Sequence, residues 1–115
     1  MQRIMLKSKI HRVIMTGADL NYEGSIAVDP ILLEAADILP YEQVHVLNVN
    51  NNNRIITYAM AAERGSGMVM LNGAAARAGV VGDVLIILTY ANVDSSELVG
   101  YSPKIVKVGP QNRIK

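Results

Sequence analysis

Cysteine, phenylalanine and tryptophan are all absent from this sequence. Without cysteine the chain has no disulfide framework and no thiolate metal site. Two histidines are too few for a histidine-based zinc centre, so no structural metal is expected. Without phenylalanine and tryptophan the core must be aliphatic, built from isoleucine, leucine, valine and methionine, and its richness in β-branched side chains favours strands. Charge of one sign is also lacking: 11 basic against 10 acidic side chains leave a formal net charge of +1. No basic cluster interleaves with aromatics, which excludes the usual electrostatic footprint of a nucleic-acid binder. No apolar run approaches the roughly 18 residues of a membrane-spanning helix, and charges break Met1–Lys9 before it reaches signal-peptide length. A soluble, cytoplasmic protein with no membrane partner is expected. The 115 residues make one domain, 1–115, without linker, repeat or low-complexity tract.

Alternating and β-branched segments predict strands at Ile10–Met15, Ser25–Asp29, Val44–Val49, Arg54–Met60, Met68–Leu71, Val84–Tyr90 and Lys104–Val108. The four asparagines 50–53 tolerate left-handed backbone and mark the turn of a hairpin. One segment reads clearly as a helix: Asp29 caps, Pro30 fits the first turn, and Ile31–Ile38 carries apolar side chains at helical spacing before Pro40. A second, shorter helix is predicted from Asn72 through Arg77, closed by a glycine cap at Gly79. The tail Gly109–Lys115 is expected to fray. This pattern describes a small, mostly β barrel with one or two short helices.

The chemistry concentrates at Asn21-Tyr22-Glu23-Gly24-Ser25. Glycine can take backbone conformations closed to other residues and leaves its carbonyl open, so a strained turn would set the Ser25 hydroxyl against the Gly24–Ser25 peptide bond. An N-to-O acyl shift followed by β-elimination would break the chain there and leave dehydroalanine. Hydrolysis with loss of ammonia would then give a pyruvoyl group. A Gly-Ser pair alone is ordinary turn chemistry.

Its surroundings carry more. Tyr22-Glu23-Gly24-Ser25 with Asp29, then Arg54, Thr57-Tyr58, Ala61-Ala62-Glu63-Arg64-Gly65-Ser66 and Asn72-Gly73-Ala74-Ala75-Ala76 together resemble the pyruvoyl-dependent aspartate 1-decarboxylases. His11-Arg12-Val13 before the Gly-Ser step and Val81-Gly82-Asp83 after it agree in order and spacing, so the resemblance runs from Lys9 to about Tyr90. It implies a six-stranded double-psi β-barrel and a homotetramer with sites at subunit interfaces. It also implies self-cleavage into residues 1–24 and 25–115, a covalent pyruvoyl cofactor made from Ser25, and conversion of L-aspartate to β-alanine and carbon dioxide for pantothenate synthesis.

Within that resemblance each residue has a chemical reason. Losing carbon dioxide from an amino acid requires an electron sink, and a pyruvoyl ketone condensed with the substrate amine as a Schiff base supplies one. Ser25 is thus nucleophile first and cofactor afterwards. Aspartate brings two carboxylates, so Arg54 can grip one bidentately, and Lys9, at a matching family position, is a second cation. Tyr58, a phenol protonated at neutral pH, is the candidate proton donor. Thr57 is assigned to substrate binding and to stabilising the oxyanion formed when Ser25 attacks Gly24. In a regular strand Thr57 and Tyr58 face opposite ways, so two functional roles would require a twist, a bulge or a subunit boundary. Asn72, Gly73, Ala74 and Ala75 are expected to line the pocket, and Tyr22 and Glu23 to shape the scissile loop. Asp29, Glu63 and Arg64 are read as cap or salt-bridge residues. Two competing readings are a serine hydrolase using Ser25, His11 and Asp83, which lacks a nucleophile-elbow signature, and a non-enzymatic barrel in which Gly24-Ser25 stays an intact turn.

Overall fold

The computed structural model describes residues 1–115. Eight strands run β1 (Gln2–Ile14), β2 (Gly17–Asp19), β3 (Ser25–Val28), β4 (Gln43–Asn48), β5 (Arg54–Ala61), β6 (Val69–Asn72), β7 (Val84–Asp94) and β8 (Lys104–Lys107). Their hydrogen-bonded order is β2-β6-β3-β5-β4-β7-β1-β8. The expected mostly β, barrel-like architecture is therefore present. The count exceeds six because two short strands, β2 and β8, add in parallel at the two edges of the sheet, on β6 and β1.

Inward positions of the strands supply one aliphatic core, including Ile10, Ile26, Val28, Val44, Val46, Leu71, Leu85 and Ile87, as the missing aromatics required. β1 and β7 both extend further than their apolar segments suggested, and the extensions pair with each other from Gln2↔Asp94 to Leu6↔Tyr90. No third strand joins that ribbon in the register of either strand, so its faces stay largely solvated and the period-2 apolar signal fades there.

The single α-helix, α1 (Pro30–Ala35), starts where expected: the Asp29 carboxylate accepts from Ile31 N at 3.0 Å, and Leu32 and Leu33 are buried beneath it. It ends early because Asp37 adopts a left-handed φ of 56°. The second helical segment, Gly73–Ala78, is 3-10 rather than α. Gly79 is not the left-handed cap expected, since its φ is −167°. Its role is room: a Cβ there would lie 2.8 Å from Asn48 Nδ2 and 3.0 Å from Met15 Sδ. No helix is long and apolar enough to cross a membrane.

The carboxyl-terminal tail is not frayed. Asn112 is buried, with its Nδ2 donating to Ile14 O at 2.9 Å and Gly67 O at 2.8 Å, while its Oδ1 accepts from Ile14 N. One side-chain amide thus satisfies three backbone groups and ties the tail to the end of β1, with Val108 bridging Ile114 beside it.

Candidate functional site

Ser25 is the first residue of β3 and is 1% exposed, while Gly24 just before it lies at the surface. β3 is held on both sides, antiparallel to β6 with Ser25 opposite Asn72, and parallel to β5 with Ile26 opposite Ala59. The candidate scissile bond therefore joins a solvated loop to a fixed strand end. In the intact chain the Ser25 hydroxyl donates to Glu23 O at 3.4 Å.

The conformational demand falls on Gly73 rather than Gly24. Gly24 is outside the left-handed region, and a Cβ on it would meet only Asn72 O at 4.0 Å. Gly73 has φ +62°, and a Cβ on it would lie 2.6 Å from Gly24 Cα, 2.7 Å from Gly24 N and 2.8 Å from Tyr22 O. The turn after β6 must be bare so that the 22–24 loop can press against it.

Two clefts flank this bond. The first, about 340 Å³, brings together Ser25, Tyr58 and Asn72 with Tyr22, Glu23 and Tyr41. Asn72 is buried, and its Oδ1 has no hydrogen-bond partner, a free acceptor beside Ser25. The second, about 270 Å³, is lined by Gly24, Thr57, Ala74, Ala75, Ile55 and Ile56. Thr57 and Tyr58 therefore do face opposite ways, in unbroken register with Val44 and Gln43 of β4. Gly24 lines the cleft on the Thr57 side and Ser25 the cleft on the Tyr58 side.

The cations are elsewhere. Arg54 opens β5 from an exposed position, its Nη1 is 3.3 Å from His45 Nδ1, and it borders a cleft of about 430 Å³ with Ile4, Gln43 and Tyr90. Lys9 sits on β1, opposite Leu88 and Ile105, so β4 and β7 separate its strand from that of Arg54. Neither cation lines the Ser25 cleft, whose charged residues are Asp19 and Glu23.

The hydrolase constellation does not assemble. His11 lines a different cleft with Arg12 and Lys107, and desolvation together with the charges of Lys9, Arg12 and Lys107 lowers its pKa. Asp83 accepts from Asn48 Nδ2 at 2.8 Å and Val80 N at 3.0 Å, which hold its carboxyl below the usual range. Asp29 is the expected cap, and Arg64 pairs with Glu34. Tyr41, which the sequence reading passed over, lines the Ser25 cleft and stacks on Tyr58 with ring centroids 6.3 Å apart. An isolated tyrosine after a proline carries no sequence signal for that.

Comparison with known proteins agrees along the whole length. The family model described as aspartate decarboxylase matches residues 1–115. A protein of Syntrophus aciditrophicus named aspartate 1-decarboxylase is 56% identical over 115 residues, covering 100% of this chain and 99% of that protein. Proteins of the same name from Thermoanaerobacter pseudethanolicus and Polaromonas naphthalenivorans are 56% and 54% identical, covering 98% and 100% of this chain and 97% and 91% of theirs.

Proposed function

The chain belongs to the aspartate decarboxylase family, and from that premise we propose that it cleaves itself between Gly24 and Ser25 and then decarboxylates L-aspartate to β-alanine. The observation that carries the reading is a buried serine hydroxyl at a fixed strand end, preceded by an exposed glycine and facing a cleft that also holds Tyr58 and Asn72.

Cleavage balances as follows. The Ser25 hydroxyl leaves Glu23 O and attacks the Gly24 carbonyl carbon, the C–N bond breaks, and an ester remains with a free amine on Ser25. Loss of the Ser25 α-proton expels the Gly24 carboxylate and leaves dehydroalanine. Water then releases ammonia and gives a pyruvoyl group at the start of residues 25–115. Thr57 lines the same cleft as Gly24, and in this scheme its hydroxyl stabilises the oxyanion. Gly73 keeps the 22–24 loop seated during the attack.

The residues present fit such a group. The strand end is buried, the adjoining cleft is large enough for a small amino acid, and Asn72 Oδ1 is free to accept a hydrogen bond there. When present, the pyruvoyl group supplies the electron sink that decarboxylation needs. Tyr58 holds a proton over the same cleft and delivers it to the carbon that has lost carbon dioxide. The cleft itself is lined by Asp19 and Glu23 and has no cation, a poor receptor for a dianion. Arg54 and Lys9 complete it from neighbouring copies in a homotetramer with sites at subunit interfaces. That arrangement also gives a purpose to the exposed Ile4, Ile56 and Tyr90. The proposed setting is the cytoplasm, and the proposed use of the product is pantothenate synthesis.

Denaturing mass spectrometry of the purified protein tests this. Two fragments are expected, residues 1–24 and 25–115, the larger lighter by one ammonia than its serine form and blocked at its amino terminus. A single intact chain that nevertheless makes β-alanine from aspartate overturns the proposal.

A further inference from the structure

Tyr41 carries a combination of features that its position alone does not explain. Its φ is +71°, in the left-handed region that bulky side chains avoid, so its backbone is strained. Burial does not account for that strain, because the residue is 76% exposed. The strain is maintained by a clamp. Tyr41 N donates to Ala59 O at 2.7 Å and Ala59 N donates to Glu42 O at 3.0 Å, fastening residues 41 and 42 onto β5 next to Tyr58. The Glu42 carboxylate is gripped by Lys7 Nζ at 2.6 Å and by Leu39 N at 3.0 Å, and Lys7 Nζ also reaches Asp37 O at 2.6 Å. The outcome of this bracing is the Tyr41 ring lying nearly parallel to that of Tyr58, at 6.3 Å and 20°, on the wall of the Ser25 cleft.

We infer that Tyr41 is a positioning residue for Tyr58, its ring selecting the rotamer that keeps the Tyr58 phenol over the Ser25 cleft. This rests on Tyr58 being the proton donor. A strand side chain has more than one common χ1 well, and Tyr58 is only half-buried, so the strands alone do not fix its hydroxyl. An offset-stacked partner does so while leaving the hydroxyl free to donate. Tyr41 itself touches no reacting atom in this scheme, and its own hydroxyl is dispensable.

The strained backbone offers a decisive pair of variants. Tyr41→Gly removes the ring and fits φ +71° without strain, which offsets part of the lost stacking and glycine's added chain entropy, so the fold is expected to persist. It should cleave at Gly24-Ser25 at the normal rate and keep KM for aspartate within about twofold, but turn over about three- to tenfold more slowly, the range a single aromatic pair commands. Tyr41→Phe keeps the ring and should restore kcat. The χ1 rotamer of Tyr58, read from NMR side-chain couplings in a Ser25→Ala background where no turnover is involved, should become averaged in Tyr41→Gly and stay single in Tyr41→Phe. Normal kcat in Tyr41→Gly, equal loss in both variants, or an unchanged Tyr58 rotamer in Tyr41→Gly would each overturn the assignment. Failure of the donor reading looks different: there Tyr58→Phe itself turns over normally, which removes both the donor role and the purpose of the stack.

Discussion

The Ser25 end of β3 and the Arg54 end of β5 are built to opposite specifications. From Ser25 onward the strand is largely buried and held on both sides by β5 and β6, and the exposed loop before it is closely fitted to the bare backbone at Gly73. Around Arg54 it is exposed, with the guanidinium in hydrogen-bond reach of His45 and apolar side chains such as Ile4 and Ile56 left uncovered nearby. The difference separates two requirements of the proposed chemistry. A reaction of the chain with itself needs a geometry fixed before any partner arrives, and one protomer can supply it. Recognition of a charged substrate needs cations that stay hydrated until the site closes, and these can come from another copy.

The most severe test of that division is Ser25→Ala. Removing the attacking oxygen should leave one uncut chain with no measurable decarboxylase activity, while the fold persists because alanine fills the buried position without strain. Gel electrophoresis and β-alanine assay decide it. An uncut, active variant would show that the two regions do not divide the work in this way.

Thr57 and Tyr58 allow a finer cut, since they face the two clefts on either side of the bond. Tyr58→Phe should cleave normally but produce β-alanine about 10²- to 10⁴-fold more slowly, the usual contribution of a positioned acid. Thr57→Val keeps the branched shape and loses the hydroxyl, so cleavage should slow by about 10²- to 10³-fold. Following fragments and product together for both variants separates the roles. The reverse pattern, with Tyr58→Phe uncut and Thr57→Val cleaving freely, would exchange the two assignments.

Arg54→Ala should lose about 2–5 kcal/mol of transition-state binding, thirtyfold or more in kcat/KM, with cleavage untouched. Arg54→Lys should recover little, because a point charge does not replace a bidentate fork. Mixing sharpens the comparison further. If Arg54 and Tyr58 act in one site from different copies, coexpressing Arg54→Ala with Tyr58→Phe chains should restore part of the activity that neither variant has alone. Hybrid assemblies without any recovered activity would mean that both residues act from the same copy.

What could be read from the residues follows the range of the forces involved. β4 was legible because it buries one face, Val44, Val46 and Asn48, which writes a period of two into the sequence, and β3 and β6 were legible as short segments buried at most positions. The β1–β7 ribbon at Gln2–Leu6 and Tyr90–Asp94 was not, because backbone hydrogen bonds between strands whose side chains, Val93 apart, stay exposed or half-exposed leave no such record. The tail escaped notice for a related reason: Asn112 works through three hydrogen bonds to distant backbone, and a single polar residue shows none of them in sequence. Gly24, Ser25, Thr57 and Tyr58 stand out in the sequence as a motif, and the regular alternation of a strand sets the last two on opposite faces, in different clefts. The separation of Lys9 and Arg54 from Ser25 depends on strand order, and the role of Tyr41 depends on a left-handed φ, neither of which residue type reveals.

The smallest expected effect concerns how the well-built region is anchored. Asp29 follows β3 directly, and its carboxylate accepts from Ile31 N, Gly67 N and Gly65 N at 3.0, 2.9 and 3.1 Å, tying the strand's far end to α1 and to the 65–67 loop. Burial alone would raise its pKa, but these three amides and the nearby Arg113 charge outweigh it and hold the group below its ordinary value of 3.8. Because the folded-state pKa is the lower one, the stabilisation is fully present above the unfolded-state value and is lost as pH falls through the folded-state value. Asp29→Asn keeps the shape, but its amide oxygen is a weaker acceptor for Ile31 N and Gly65 N and its NH2 cannot accept from Gly67 N, so it should cost about 1–3 kcal/mol near neutral pH. The gap from wild type should shrink as the solution is acidified below about pH 4, where the wild-type carboxylate itself takes up a proton. Thermal or urea unfolding across that range measures it, with the Ser25→Ala background used to keep both proteins uncut. A gap that stayed constant down to pH 2 would mean that Asp29 contributes through packing rather than charge, and that the anchor of β3 is not electrostatic.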